Sequence, residues 1–231
     1  IIVSLVGSEM CIRDRSYCRQ MKKILADFLM PMQFGVAVDG GLSLWSTVVE
    51  GMLQRDKDNV FLSIDLTNCF NAMDRDLLIV ECMKHEALKP LARYVERCYP
   101  PGMVAWVEVE RAWDAIPFDN GTAQGRPLSP ALCSILLMPA LHAASDAMAA
   151  HTGLQRGSQE ARLAFAVGSY VDDSNLIGHI DVVAAGFAAS KTQIELNGWN
   201  INMSKTALGR NFYTNPTATQ RAAQDAEFTA L

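Results

Sequence analysis

Paired cysteines, zinc-type histidine spacing and an excess of basic charge are all missing from this 231-residue sequence. The six cysteines (Cys11, Cys18, Cys69, Cys82, Cys98, Cys133) include no CxxC pair, and the four histidines include no HExxH. Neither a zinc site nor a disulfide framework is indicated. The thiols read as small buried hydrophobes in a reducing compartment. Lys and Arg number 20 against 25 Asp and Glu, giving a net charge of −5 and a pI near 5.4. A self-sufficient nucleic-acid binder usually presents a basic surface, so composition alone argues against one. Charged residues or His interrupt every long apolar run before the roughly 18 residues of a membrane span, so no span is expected. The apolar opening, residues 1–7, has no preceding basic region and no small-residue cleavage site, so it fails as a secretory signal. A soluble, intracellular protein is the expectation, with the nucleus a plausible compartment.

What is present is a core. Half of the residues are hydrophobic and 19% charged, the balance of a globular chain with room for one full domain or one domain and incomplete companions. Residues 1–15 do not share the style of the rest of the chain. They resemble translated adaptor sequence, and a non-native or disordered segment is expected there. In residues 17–30, Met21, Ile24, Leu25 and Phe28 recur at helical spacing, and Pro31 stops them. A glycine-punctuated turn from Gln33 to Gly41 precedes a second helix over 42–53. Residues 60–66 read as a strand with Leu62, Ile64 and Leu66 on one face and Ser63 and Asp65 on the other. Asp74 is a good N-cap for a helix over 75–85, and a shorter helix follows over 90–98. Val107 and Val109 alternate with Glu108 and Glu110 as in a half-exposed strand. Ser129 and Pro130 supply a cap and a first-turn proline for an apolar helix to about 150, which Pro139 should kink. Residues 164–170 and 175–178 form a hairpin with aspartates at its tip. A helix over 182–196 and a strand through Trp199, Ile201 and Met203 complete an α+β chain of split βαβ (ferredoxin-like) type, an antiparallel sheet backed by helices.

Phosphoryl-transfer chemistry commonly uses divalent ions held by converging carboxylates, and Asp side chains suit the hard, oxygen-seeking Mg2+. Asp65 at a strand end and Asp172-Asp173 at a hairpin tip can converge if their strands are neighbours. Taken alone, Asp172-Asp173-Ser174-Asn175 is simply a set of turn formers. Their order with the motifs around them is what favours chemistry.

Asp65-Leu66-Thr67-Asn68-Cys69-Phe70-Asn71-Ala72-Met73-Asp74-Arg75 resembles the first palm motif of reverse transcriptases. Gln124-Gly125-Arg126-Pro127-Leu128-Ser129-Pro130 is similar to the family's QGxPLSP motif, and Tyr170-Val171-Asp172-Asp173 to its YxDD motif. Gly198-Trp199-Asn200-Ile201-Asn202 through Lys205-Thr206 looks like its fourth. Gln33-Phe34-Gly35-Val36 with Gly40-Gly41 resembles the segment preceding the palm in non-LTR retrotransposons. The resemblance spans about 33–210 and implies a polymerase palm. It implies two Mg2+ (or Mn2+) ions on Asp65, Asp172 and Asp173, with the carbonyl of Leu66 assisting. Asn68 and Cys69 would offer backbone N–H groups to a triphosphate. Phe70 would lie under the sugar and exclude a 2′-hydroxyl, although an ordinary core aromatic fits the position equally. Gln124 and Gly125 would border the nucleotide and templating base, the glycine allowing close approach. Lys205 would lie near the departing pyrophosphate, or be a solvated surface lysine. Tyr170 would touch the primer end, or be a packed strand-end aromatic. Arg126 departs from the Ser, Asp or Thr of many relatives.

The implied partners are an RNA template, a DNA primer, deoxynucleoside triphosphates and other modules of a retroelement polyprotein. The implied division is 16–59 for partial fingers, 60–210 for the palm and 211–231 for a tail or the start of a thumb connection, the thumb itself being largely absent. Two alternatives stay open: an RNA-dependent RNA polymerase, which Phe70 opposes, and a catalytically inactive palm remnant.

Overall fold

A computed structural model of the chain describes residues 2–110, 112–123 and 125–210. A single helix, α1 (Ile2–Leu29), opens it. The helix begins well before residue 17, where helical spacing of apolar residues first shows in the sequence. Residues 8–29 contain neither Gly nor Pro, and nothing halts propagation toward the N-terminus. Asp14, fully buried, accepts bonds from Arg126 at 2.9 and 3.0 Å and from the Tyr94 hydroxyl at 2.9 Å. Arg126 also lies over the Tyr99 ring, so the residue that departs from the motif is built into the protein's own packing.

Helix α2 (Gly41–Arg55) leads into the strand β1 (Val60–Ile64), whose burial alternates as expected. The short helix α3 (Cys69–Ala72) follows, then α4 (Arg75–Met83), where the Asp74 carboxylate accepts from the Leu77 N–H at 3.0 Å as an N-cap should. Helix α5 (Lys89–Cys98) comes next. The alternating segment is β2 (Val104–Val109), but its partner β3 (Ala112–Pro117) forms with it a separate two-stranded sheet. All six residues of β3 are exposed, so it carries no inward-outward alternation for sequence reading to find.

The long helix α6 (Ser129–Thr152) runs through Pro139 without a break. By length and composition it can cross a membrane, which corrects the expectation that no segment would qualify. Its residues are mostly buried against the rest of the protein, as in a core helix. Ser129 is its first residue rather than its cap. The Ser129 hydroxyl instead donates to the Ala123 carbonyl at 2.8 Å and shares a 2.6 Å bond with Thr122 Oγ1.

Helix α7 (Gln159–Ala164), capped by Ser158, takes in the start of the segment expected as strand. The hairpin β4 (Ala166–Tyr170) and β5 (Asp173–Gly178) then forms as expected, followed by α8 (Ile180–Leu196). Among the described residues the last strand is β6 (Ala207–Arg210), not a strand through 199–203. Gly198, at φ 82°, turns the chain out of α8. Only Ile201 bridges Leu66, and the Asn202 carbonyl accepts from Lys205 and Thr206 N–H groups to make a turn. Trp199 is buried among core side chains, which produced the misleading apolar alternation.

One antiparallel sheet in the order β4-β5-β1-β6 results. Helices α6 and α8 cover one face, with Leu62, Ile64, Leu176 and Phe187 in the main core. Helix α2 covers the other, where Phe34, Trp45, Met52, Leu53 and Ile177 form a second cluster. The fold is the α+β palm arrangement expected, with helices backing an antiparallel sheet.

Candidate active site

The aspartates reach the same end of the sheet because of strand register. Strand β1 pairs with β5 from Val60↔Gly178 to Ile64↔Ser174, so the next step of that register is Asp65 and Asp173. Opposed residues of an antiparallel pair have Cα atoms about 4.5–5.5 Å apart. Side-chain alternation also puts Asp65 and Asp173 on the face shared by Ser63 and Asn175, whose side chains meet at 3.4 Å.

Asp172 sits in the two-residue loop between the paired Tyr170 and Asp173. Burial raises its pKa above the ordinary aspartate value, and the neighbouring Asp173 and Asp65 carboxylates push it further the same way. Asp172 therefore feels both of the other acids. No ion pair among the described residues involves Asp65, Asp172 or Asp173. Like charges left together repel and invite a cation. Among the described residues, however, no three His, Cys, Asp or Glu side chains are already gathered into one ligand set.

The segment after Asp65 is pinned from two sides. The Asp65 N–H donates to Thr206 Oγ1 at 3.2 Å and its carbonyl accepts from Asn202 N–H at 2.8 Å, while Thr67 N–H donates to the Asn200 carbonyl. Thr206 is thus a positioning contact, a role that its place at the end of the fourth motif does not signal. Its neighbour Lys205 is exposed in the same turn. Leu66 is buried and bridges Ile201. Asn68, at φ 52°, starts α3, and its side chain accepts from Asn71. Cys69 is buried, its Sγ lying 2.7 Å from Cys133 Sγ and its carbonyl accepting from Trp199 Nε1. Contact with Cys69 and burial raise the Cys133 pKa well above an ordinary thiol's.

Phe70 is half-buried against the core, and its carbonyl accepts the Thr122 N–H at 2.7 Å. That bond ties the loop before α6 to α3. Arg75, held between the Tyr99 and Phe118 rings at 4.6 Å from each, adds bonds to the Gly121 and Asn120 carbonyls. Gly125 belongs to this loop and is exposed at φ 85°. A Cβ there would meet nothing within 4 Å, so within the protein it is backbone conformation, not crowding, that calls for glycine. Gln124, the other candidate in this loop, lies outside the described residues, as do 211–231. Tyr170 closes β4 and is 36% exposed.

Strand register thus puts Asp65, Asp172 and Asp173 at one end of the sheet, short of a ready-made ligand set, with α3 following Asp65 and Thr122 bonded to it. What sequence reading missed is Gln33, whose buried side chain bonds to the hairpin turn between Tyr170 and Asp172. Gln33 stood out only as part of the family-like segment before the palm, with no local sign that its side chain meets the hairpin.

Comparison with known proteins bears on the fold and the family. A search of curated protein sequences found no match. Among solved structures, Candida albicans telomerase in complex with a telomeric RNA fragment matches with a TM-score of 0.56 at 16% identity, over 91% of this chain and 35% of that one. Apo telomerase from Candida tropicalis truncated from its C-terminal domain gives 0.58 at 16% identity, over 87% and 41%. Candida tropicalis telomerase with an RNA fragment gives 0.56 at 14%, over 88% and 34%. At such identities the likeness is one of fold, and this chain spans little more than a third of those proteins. The family model described as reverse transcriptase (RNA-dependent DNA polymerase) matches residues 9–226, nearly the whole chain. This chain belongs to the reverse transcriptase family.

Proposed function

We propose that the chain is the catalytic core of an RNA-directed DNA polymerase that extends a primer with deoxynucleotides on an RNA template, working inside the cell as part of a larger non-LTR retroelement polyprotein. The observation that carries this reading is the register that brings Asp65 and Asp172-Asp173 to adjoining strand ends, where the other two carboxylates bear on Asp172 and no ion pair among the described residues involves any of the three. The motif order supports the non-LTR branch, through Gln33-Phe34-Gly35 and Gly40-Gly41 ahead of the palm.

The donor set fits two Mg2+ or Mn2+ ions. Carboxylate oxygens of Asp65, Asp172 and Asp173 and the carbonyl of Leu66 are hard ligands, and both cations complete their shells with water and substrate phosphate. Bound there, such ions would activate the primer hydroxyl and stabilise the pyrophosphate leaving group. The protein's own groups do the rest. The N–H groups of Asn68 and Cys69, at the start of α3, face a triphosphate. Phe70 lies under the sugar and leaves no space for a 2′-hydroxyl. Gln124 and Gly125 border the nucleotide, Tyr170 meets the primer end, and Lys205 screens or protonates the departing pyrophosphate.

Primer extension by the full-length parent protein tests the reading. Asp172→Asn should lower the rate at least about a hundredfold, the scale of losing one pre-placed electrostatic group. Unchanged extension would refute the assignment. Phe70→Ala should raise ribonucleotide incorporation relative to deoxynucleotide. Equal preference in the unaltered enzyme would favour an RNA polymerase instead.

The absence of a ready-gathered ligand trio among the described residues favours one competing reading, a palm that keeps the fold without turnover. Asp172-dependent extension separates the two.

A further inference from the structure

We propose that Gln33 is a positioning residue for the aspartate corner: its side-chain amide clamps Val171 in a left-handed turn and thereby aims Asp172 and Asp173. The functional half of this inference rests on the polymerase reading; the clamp itself does not.

Val171 has φ 60° in the two-residue loop joining β4 to β5. A β-branched side chain rarely adopts that region, because its Cβ crowds the backbone, and such strain persists only where surroundings over-determine it. Gln33 supplies the surroundings. It is fully buried although polar, and both ends of its amide are used. Oε1 accepts from the Val171 N–H at 2.7 Å and the Gly35 N–H at 2.9 Å. Nε2 donates to the Val171 carbonyl at 2.9 Å and to Ser169 Oγ at 3.3 Å. One side chain therefore grips both backbone groups of the strained residue.

The grip is itself anchored. Phe34 N–H donates to the Ser169 carbonyl at 2.8 Å and Ser169 N–H to the Met32 carbonyl at 2.7 Å, so the segment docks along the free edge of β4. Gly35 completes the fit, since a Cβ there would fall 2.6 Å from Val171 N and Cγ2. No other side chain substitutes: Asn is one methylene too short, Glu lacks the donor, and Met of similar length lacks both functions. Asp172 is the next residue in the loop and Asp173 the first of β5, so the peptide that Gln33 holds fixes their directions.

The test uses the full chain, with Gln33→Met, Val171→Gly and the double variant, read by amide hydrogen exchange and by Mn2+ titration. Gln33→Met should speed exchange at the Val171 amide at least tenfold and weaken Mn2+ binding about tenfold, whereas in the Val171→Gly background, where φ 60° is unstrained, the loss should shrink to about threefold or less. Equal losses in both backgrounds, or unchanged Val171 exchange, would overturn the clamp. A wild-type chain whose Mn2+ binding does not depend on Asp172 contradicts the polymerase reading instead, and Val171 exchange then decides the clamp alone.

Discussion

The residue that ties stability to chemistry is Asp172. Its pKa is raised by burial first and by Asp173 and Asp65 after it. A carboxyl whose folded pKa lies above its unfolded value near 3.9 binds protons more tightly when folded, so its charged form weakens the fold as pH rises through the raised pKa. At neutral pH the metal-free protein therefore carries a penalty that Asp172→Asn removes. In chelator at pH 7 the variant should melt above the wild type, and the gap should close at a pH below the ordinary aspartate range, where both carry a neutral side chain. A variant melting at or below the wild type at pH 7 would show that the repulsion is not felt. The same protonation competes with a cation, so metal affinity should fall as pH drops through that window. The residue scale is also where sequence reading was least complete. Lone aspartates in a turn are ambiguous, and Gln33 meets Val171 across 138 positions, a contact with no local pattern to betray it.

Elements were legible where one face is buried and the other is not. Strand β1 announced itself by alternation, and α4 by Asp74 ahead of an apolar run. Removing that cap by Asp74→Ala should cost about 1 kcal/mol, lowering Tm by about 2–4 °C in a chain of this size. A thermal melt that does not move would mean the cap is replaced by water. Elements failed to show where that contrast is missing. Strand β3 is exposed on both faces, and Trp199 and Ile201 mimic strand alternation while the chain is actually turning toward β6. Trp199 is held there by a bond of its own, its indole N–H satisfying the Cys69 carbonyl beneath the site. Trp199→Phe keeps most of the bulk but leaves that buried acceptor unpaired, with an expected loss of about 1–3 kcal/mol by denaturant titration. A loss well below that range would mean that the carbonyl finds another donor.

At the scale of the whole molecule, the α+β palm class and the order of its motifs were readable from the sequence, because both rest on patterns that recur along the chain. The separate β2-β3 sheet was not, because β3 is exposed on both faces, and the docking of 33–35 on the edge of β4 was not, because it is set by contact between distant segments. A net charge of −5 gives the chain little with which to neutralise phosphates. Binding of a primer–template duplex by the chain should be weak, with a slope of log K against log salt smaller in magnitude than that of a basic duplex-binding protein of similar size. Equal slopes would locate the phosphate contacts within this chain.

The central claim is that Asp65, Asp172 and Asp173 share bound divalent cations. Calorimetric titration of Mn2+ into the chain in the presence of a deoxynucleoside triphosphate addresses it directly. Saturable binding of two ions per chain is expected, weakened at least about tenfold by either Asp65→Asn or Asp172→Asn, as loss of one charged ligand from a shared site requires. Isotherms that are the same for wild type and both variants would contradict it.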